Sequence, residues 1–263
     1  MPSTETADPA IKSPSTWLTL TELHRAMFEF STLPLASPLL ARAPRGDGHS
    51  VLVLPGFIAG DRSTDPLRRY LRQLGYDAHA WELGRNLGPL AIGRQGEKLM
   101  ERFMEVAETA QGKISLIGWS LGGVMARELA KRVPEAVRQV ITLGSPFTGD
   151  PMASKPTRFY QAVTGETMQD FEVRLKASTQ PPPMPSTAIY SKGDGVVAWQ
   201  NCIEVAAPQT DNIEVHGSHC GLGVNPAVLF AVADRLAQPD GAWVPFERSG
   251  WRGAVYPSSG HLH

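Results

Sequence analysis

The 263 residues carry 25 Lys and Arg against 26 Asp and Glu, a net charge of −1, with 42% apolar and 19% charged residues. That balance leaves no electrostatic footprint for nucleic acid, and the length suits one large domain with a proper core. The 25 Gly and 22 Pro argue for many tight turns rather than a helical bundle.

In chain order, residues 1–14 are polar and lack a basic segment followed by an apolar one, so a mobile tail rather than a secretion signal is expected, and a cytoplasmic location with it. Residues 17–40 are apolar-rich but interrupted by Glu22, His24, Arg25 and Glu29. The reading is an amphipathic helix packed on the body, with weak membrane-surface contact as the alternative and a transmembrane span excluded by the charges. Apolar runs of strand length follow at 50–54, 76–81, 113–117, 139–143, 188–191 and 213–216. Helical patterns at 65–74, 93–109, 121–132 and 226–236 separate most of them. Strongly apolar strands alternating with helices predict an α/β fold, a mostly parallel sheet of about six strands covered on both faces. About forty residues, 145–187, break the rhythm. With a helix-compatible stretch at 168–176 and Pro181-Pro182-Pro183, they suit a helical lid inserted in a single domain spanning 15–263. The ending, 242–263, should wrap the body as irregular chain and bury Trp243, Phe246, Trp251 and Tyr256.

Gly118-Trp119-Ser120-Leu121-Gly122 sits between the third strand pattern and the third helical one. A serine on so sharp a turn needs small residues two positions to each side, and the helix dipole then points at its hydroxyl. A serine hydroxyl needs a general base, itself oriented by a carboxylate, and in a parallel sheet such groups occupy loops after strands. Asp194 follows the fifth strand between two glycines, and His219 follows the sixth in Gly217-Ser218-His219. His216, the rival base, belongs to the strand pattern itself. The order Ser120, Asp194, His219 is the order this arrangement uses. Oxyanion donors should be the backbone N–H groups of Leu121, at the helix start, and Phe57, in the Pro55-Gly56-Phe57 loop after the first strand. Ile58, Trp119, Val196, Val197 and Leu222 flank these positions and are candidate substrate-binding residues. Cys202 and Cys220 neighbour the acid and histidine loops; a disulfide and two separate thiols both remain open, and no metal-ligand motif is present.

With these residues the chain resembles the α/β-hydrolase family, and within it the bacterial serine esterases and lipases, from about residue 50 to 236. The resemblance implies acylation of Ser120 by an ester substrate, small or lipid-like, with His219 shuttling the proton, water deacylating the enzyme and no cofactor needed. Thioester or amide cleavage and acyl transfer are the alternatives on the same residues, and a non-catalytic ligand-binding member of the fold is a further one. Two departures stand out: Pro55-Gly56 where lipases often carry His-Gly, and Trp119 where a His often precedes the nucleophile.

Overall fold

The computed structural model describes residues 11–149, 163–165 and 178–257. Six strands, β1 (Ser50–Leu54), β2 (Asp77–Ala80), β3 (Ile114–Trp119), β4 (Val137–Leu143), β5 (Ser186–Tyr190) and β6 (Thr210–Glu214), form one sheet in the order β2-β1-β3-β4-β5-β6. Every neighbouring pair is parallel. The inner strands β1, β3, β4 and β5 are buried on both faces, so their apolar residues cluster where those of a half-exposed strand would alternate. Because side chains alternate across a strand, Val51 and Val53 enter one core with Ile117, Ile141 and Ile189, while Leu52 and Leu54 enter the other with Leu116 and Val140. Edge strand β2 is short and polar, with His79 Nε2 2.7 Å from Asp77 Oδ2, which blunts that edge against further pairing.

The helices are α1 (Thr16–Leu20), α2 (Glu22–Leu40), α3 (Asp61–Gln73), α4 (Pro89–Ile92), α5 (Glu97–Thr109), α6 (Leu121–Arg132), α7 (Pro226–Leu236) and the single turn α8 (Arg252–Val255). α3 and α7 cover one face of the sheet, and α5 and α6 the other. α6 and α7 span the residues that the sequence pattern marked out. α7 starts where Pro226 takes the first helical position and Asn225 accepts the amide of Ala227 at 2.9 Å. α3 begins four residues before its pattern, because the Asp61 carboxylate accepts the amides of Trp81 and Glu82 and so anchors the start to the chain beyond β2. On α6, Arg127 is fully buried, pairs with the buried Glu204, donates to the carbonyls of Ser178 and Gln180, and lies 3.9 Å from the Phe147 ring centre.

The helix expected over 17–40 is present as α1 and α2, but with its polarity reversed. Glu22 and Glu29 face the protein with Ala26 and Leu40, whereas Leu23, Met27, Phe28 and Leu35 face outward. The physical reason is that the inner face around Glu22 and Glu29 meets loop backbone, whose N–H groups need acceptors, whereas Leu33, Ala36 and Leu40 further along pack on the core. The C-terminal chain buries Phe246 and Tyr256 edge-to-face, 4.7 Å apart, but leaves Trp251 46% exposed. Much of the expected lid, its 168–176 helix and most of the N-terminal tail fall outside the described residues. No helix among those described is long and apolar enough to cross a membrane.

Candidate active site

The sheet reverses its winding between β1 and β3, and the loops at the carboxyl ends of adjacent strands there form the crevice in which open α/β sheets place ligands. Ser120 directly follows β3 with φ 53° and ψ −123°, a conformation outside the usual regions for a side-chain-bearing residue and costing about 1–3 kcal/mol. Its surroundings impose it: the Ser120 amide donates to Leu143 O on β4 at 2.8 Å, and its carbonyl accepts Gly123 N–H at 2.9 Å to open α6. Small residues at the flanks are obligatory, since a methyl on Gly122 would stand 2.5 Å from Leu54 O. Leu121 occupies the first position of α6, where backbone N–H groups have no helical acceptor.

Asp194 and His219 come together as the sequence order suggests. His219 Nδ1 lies 2.5 Å from Asp194 Oδ2, and both residues are buried. The other carboxylate oxygen, Oδ1, accepts the amides of Val196 and Val197 at 2.8 and 2.7 Å, so the acid is fixed by its own loop. Burial pulls the His219 pKa down, but the charge and hydrogen bond of Asp194, with the charge of Glu22, outweigh it and raise the pKa above the ordinary histidine value. With Nδ1 committed to Asp194, Nε2 is the ring atom available for proton exchange. Trp119 braces the same loop through an indole N–H donated to His219 O at 3.1 Å, its ring 6.3 Å from the imidazole. His216 is exposed and holds Asn225 only through its carbonyl.

The loop after β1 closes the other side. A methyl on Gly56 would stand 3.3 Å from Ser120 Cβ, which places Gly56 directly beside the serine. Asn86, fully buried and unremarked in the sequence, fixes this loop: Nδ2 donates to Pro55 O at 2.7 Å, and its main chain exchanges bonds with Ile58 N–H and Ala59 O. Those ties hold Ile58 at φ 59°. Of the expected substrate-binding side chains, Ile58 is 51% exposed and Trp119 and Val196 are partly buried. Val197 and Leu222 are instead enclosed in packing, because Val197 turns inward as its amide bonds Asp194 and Leu222 fills the core beneath Gly144.

Sequence reasoning missed the support supplied by α2. Glu22 Oε2 accepts Gly195 N–H at 3.0 Å and its Oε1 accepts Cys220 N–H at 2.8 Å. Glu29 accepts Ser218 N–H at 2.7 Å and the Asn225 side chain at 3.0 Å, and Arg25 donates to Gly193 O at 2.7 Å. Burial, with the nearby Asp194 charge, raises the Glu22 pKa against the opposing pull of the Cys220 amide, Arg25 and His219. The available signal was the seven-residue spacing of two carboxylates in an apolar helix, which puts both on one face. Cys202 and Cys220 are free thiols, the first buried and the second exposed.

A second Asp-His-Ser chain occupies the opposite edge of the sheet. His49 Nε2 lies 2.8 Å from Ser115 Oγ and its Nδ1 lies 2.5 Å from Asp47. Ser115 is fully buried in the interior of β3, Arg138 contacts both Asp47 and His49, and burial pulls the His49 pKa down. This chain ties strands together and presents no hydroxyl to solvent. Among the described residues, no group of three or more His, Cys, Asp or Glu side chains could hold a metal ion.

Residues 97–198, which include Ser120 and Asp194, match the family model described as a PGAP1-like alpha/beta domain. No curated protein sequence matches the chain. Among solved structures, Aspergillus fumigatus lipase B superposes with a TM-score of 0.56 at 17% identity, over 78% of this chain and 56% of the lipase. A pyrethroid hydrolase from Sphingobium faniae JZ-2 gives 0.54 at 20% identity, over 73% of this chain and 98% of its own. A monoacylglycerol lipase from Paleococcus ferrophilus gives 0.53 at 13% identity, over 72% and 96%. Parallel sheet, strand-to-helix serine turn and these likenesses agree: the chain has the α/β-hydrolase fold.

Proposed function

We propose that the protein is a serine hydrolase that cleaves carboxylic esters with apolar acyl groups through an acyl-enzyme. The observation that carries this reading is the buried His219–Asp194 pair at the carboxyl edge of the sheet that also bears the strained Ser120. Asp194 holds the imidazole by Nδ1 and leaves Nε2 to take the hydroxyl proton as Ser120 attacks the acyl carbon. The developing oxyanion is received by the amides of Phe57 and Leu121, each such donor contributing roughly 3–4 kcal/mol in comparable sites. His219 then gives its proton to the departing alcohol, and a water activated in the same way releases the acid. Ile58, Trp119 and Val196 supply an apolar rim for the acyl group. The lipase and hydrolase names of the three superposed structures favour the same chemistry.

The test is hydrolysis of p-nitrophenyl esters from acetate to palmitate by wild type, Ser120→Ala and Ser115→Ala, with fluorophosphonate labelling mapped to its peptide. Activity should vanish in the Ser120 variant and survive, if the protein folds, in the Ser115 variant, with the label on Ser120. Absence of both ester turnover and labelling would replace this reading with a ligand-binding role.

A further inference from the structure

We propose that the outward face of α1 and α2 seats the protein on an anionic lipid surface. The face is apolar over five turns: Trp17, Leu20, Leu23, Met27, Phe28 and Leu35 are each between 64% and 86% exposed. Scattered exposed apolar residues are ordinary, but a continuous set on one helical face marks a docking surface. Its charges indicate what docks. Between residues 11 and 46 the carboxylates are Glu22 and Glu29, and both are turned inward and engaged with the loops that carry Asp194 and His219. Lys12, Arg42 and Arg45 are exposed in the same segment, and the exposed Asp47 just beyond it is bonded to Arg138 and His49. An apolar helical face with an aromatic residue near one end, and with exposed Lys and Arg beyond its two ends, is complementary to the headgroup and acyl boundary of an anionic leaflet. A second copy fits less well, since a two-fold contact sets a patch against itself and would face these cations with one another.

The same geometry orients the molecule. The inner side of α2 lies on the loops that follow β5 and β6, so a surface holding the outer side holds the carboxyl edge of the sheet close to the lipid. Docking of this kind needs no catalysis, and its test is separate from that of the ester-cleaving reading.

Full-length protein, as wild type and as Ser120→Ala, is sedimented with phosphatidylcholine vesicles, plain or containing about a third phosphatidylserine. Two further variants are included: Leu23→Ser/Met27→Ser/Phe28→Ser, which alters only exposed positions, and Arg42→Glu/Arg45→Glu. Circular dichroism establishes that each is folded. The expected result is that wild type and Ser120→Ala bind the anionic vesicles at least tenfold more tightly than the neutral ones. Both surface variants should lose at least tenfold of that affinity, and added salt should weaken wild type. Folded wild type that stays in the supernatant overturns the proposal. So does vesicle binding unchanged by the apolar triple variant. A dimer in light scattering that the triple variant dissolves, without vesicle binding, assigns the face to a second copy instead.

Discussion

Glu22 Oε1 accepts the backbone N–H of Cys220 at 2.8 Å across 198 positions of sequence, and its partner oxygen accepts the N–H of Gly195. One carboxylate therefore fixes the residue after Asp194 and the residue after His219. In Glu22→Gln one of these amides meets an NH2 group, and a negative charge near His219 is lost. We expect kcat to fall about tenfold, a barrier increase of roughly 1.4 kcal/mol, with little change in KM. In the proposed mechanism His219 must be neutral to accept a proton, so activity should be lost as pH falls through its raised pKa. Asp194 and Glu22 both favour the imidazolium, and Arg25 pairs with Glu22. Removing the Glu22 charge should therefore move the acid limb of kcat/KM to lower pH. A pH-rate profile decides: a lowered melting temperature with an unmoved limb would reduce Glu22 to scaffold.

Gly144 lies behind the acid-histidine pair at φ +54°, where a methyl would meet Leu222 Cδ1 at 2.7 Å and both Asp194 Oδ2 and His219 Nδ1 at 3.2 Å. Gly144→Ala should cost about 1–2 kcal/mol from the left-handed backbone alone. Displacement of the pair should reduce kcat more than that destabilisation explains. Thermal unfolding and initial rates on the same preparation test this. A stable variant with normal kcat would show that the pair tolerates movement.

Asn86→Ala frees Pro55 O and the Gly88 amide, each bonded to the Asn86 side chain. A buried polar group left without a partner costs about 1–3 kcal/mol. Because the released loop bears the Phe57 amide, kcat should fall by more than KM rises. Steady-state kinetics on a short-chain ester separates that result from a uniform loss of binding.

Arg127→Met strands Glu204 as an unpaired buried carboxylate and should destabilise by about 3–5 kcal/mol. Arg127→Met combined with Glu204→Leu should recover part of that loss, although the carbonyls of Ser178 and Gln180 still lose their donor. Urea unfolding of Arg127→Met, Glu204→Leu and the double variant gives the comparison, with fully additive losses as the contrary result.

The parts legible in sequence are those where local pattern and tertiary demand coincide. The apolar runs of β1 and β4 are buried on both faces and so carry no competing signal. The glycines around Ser120 are required by backbone within hydrogen-bonding reach, which makes the motif readable without the sheet. α6 and α7 keep their bounds because Ser120, and Asn225 with Pro226, define their starts. The inward carboxylates of α2 were not legible as anchors, because their partners are backbone amides nearly 200 positions away and leave no mark on composition. Asn86 escaped for the same reason: a buried asparagine between loops looks like any turn residue. Burial of Val197 and Leu222 depends on how two loops fold onto each other, which flanking position alone does not reveal.

The inward clamp of α2 also bears on the order of folding. Its contacts reach 173, 189 and 198 positions along the chain, to Gly195, Ser218 and Cys220. Closing loops of that span carries a large entropic cost and must wait for the distant segments. During synthesis, Glu22 has only Arg25 of its own helix to bond, and the distant amide donors of Glu22 and Glu29 are absent until β5 and β6 have been made and paired. α2 is thus among the last elements to take its place, and the loops bearing Asp194 and His219 become rigid only when this helix meets chain nearly 200 positions downstream.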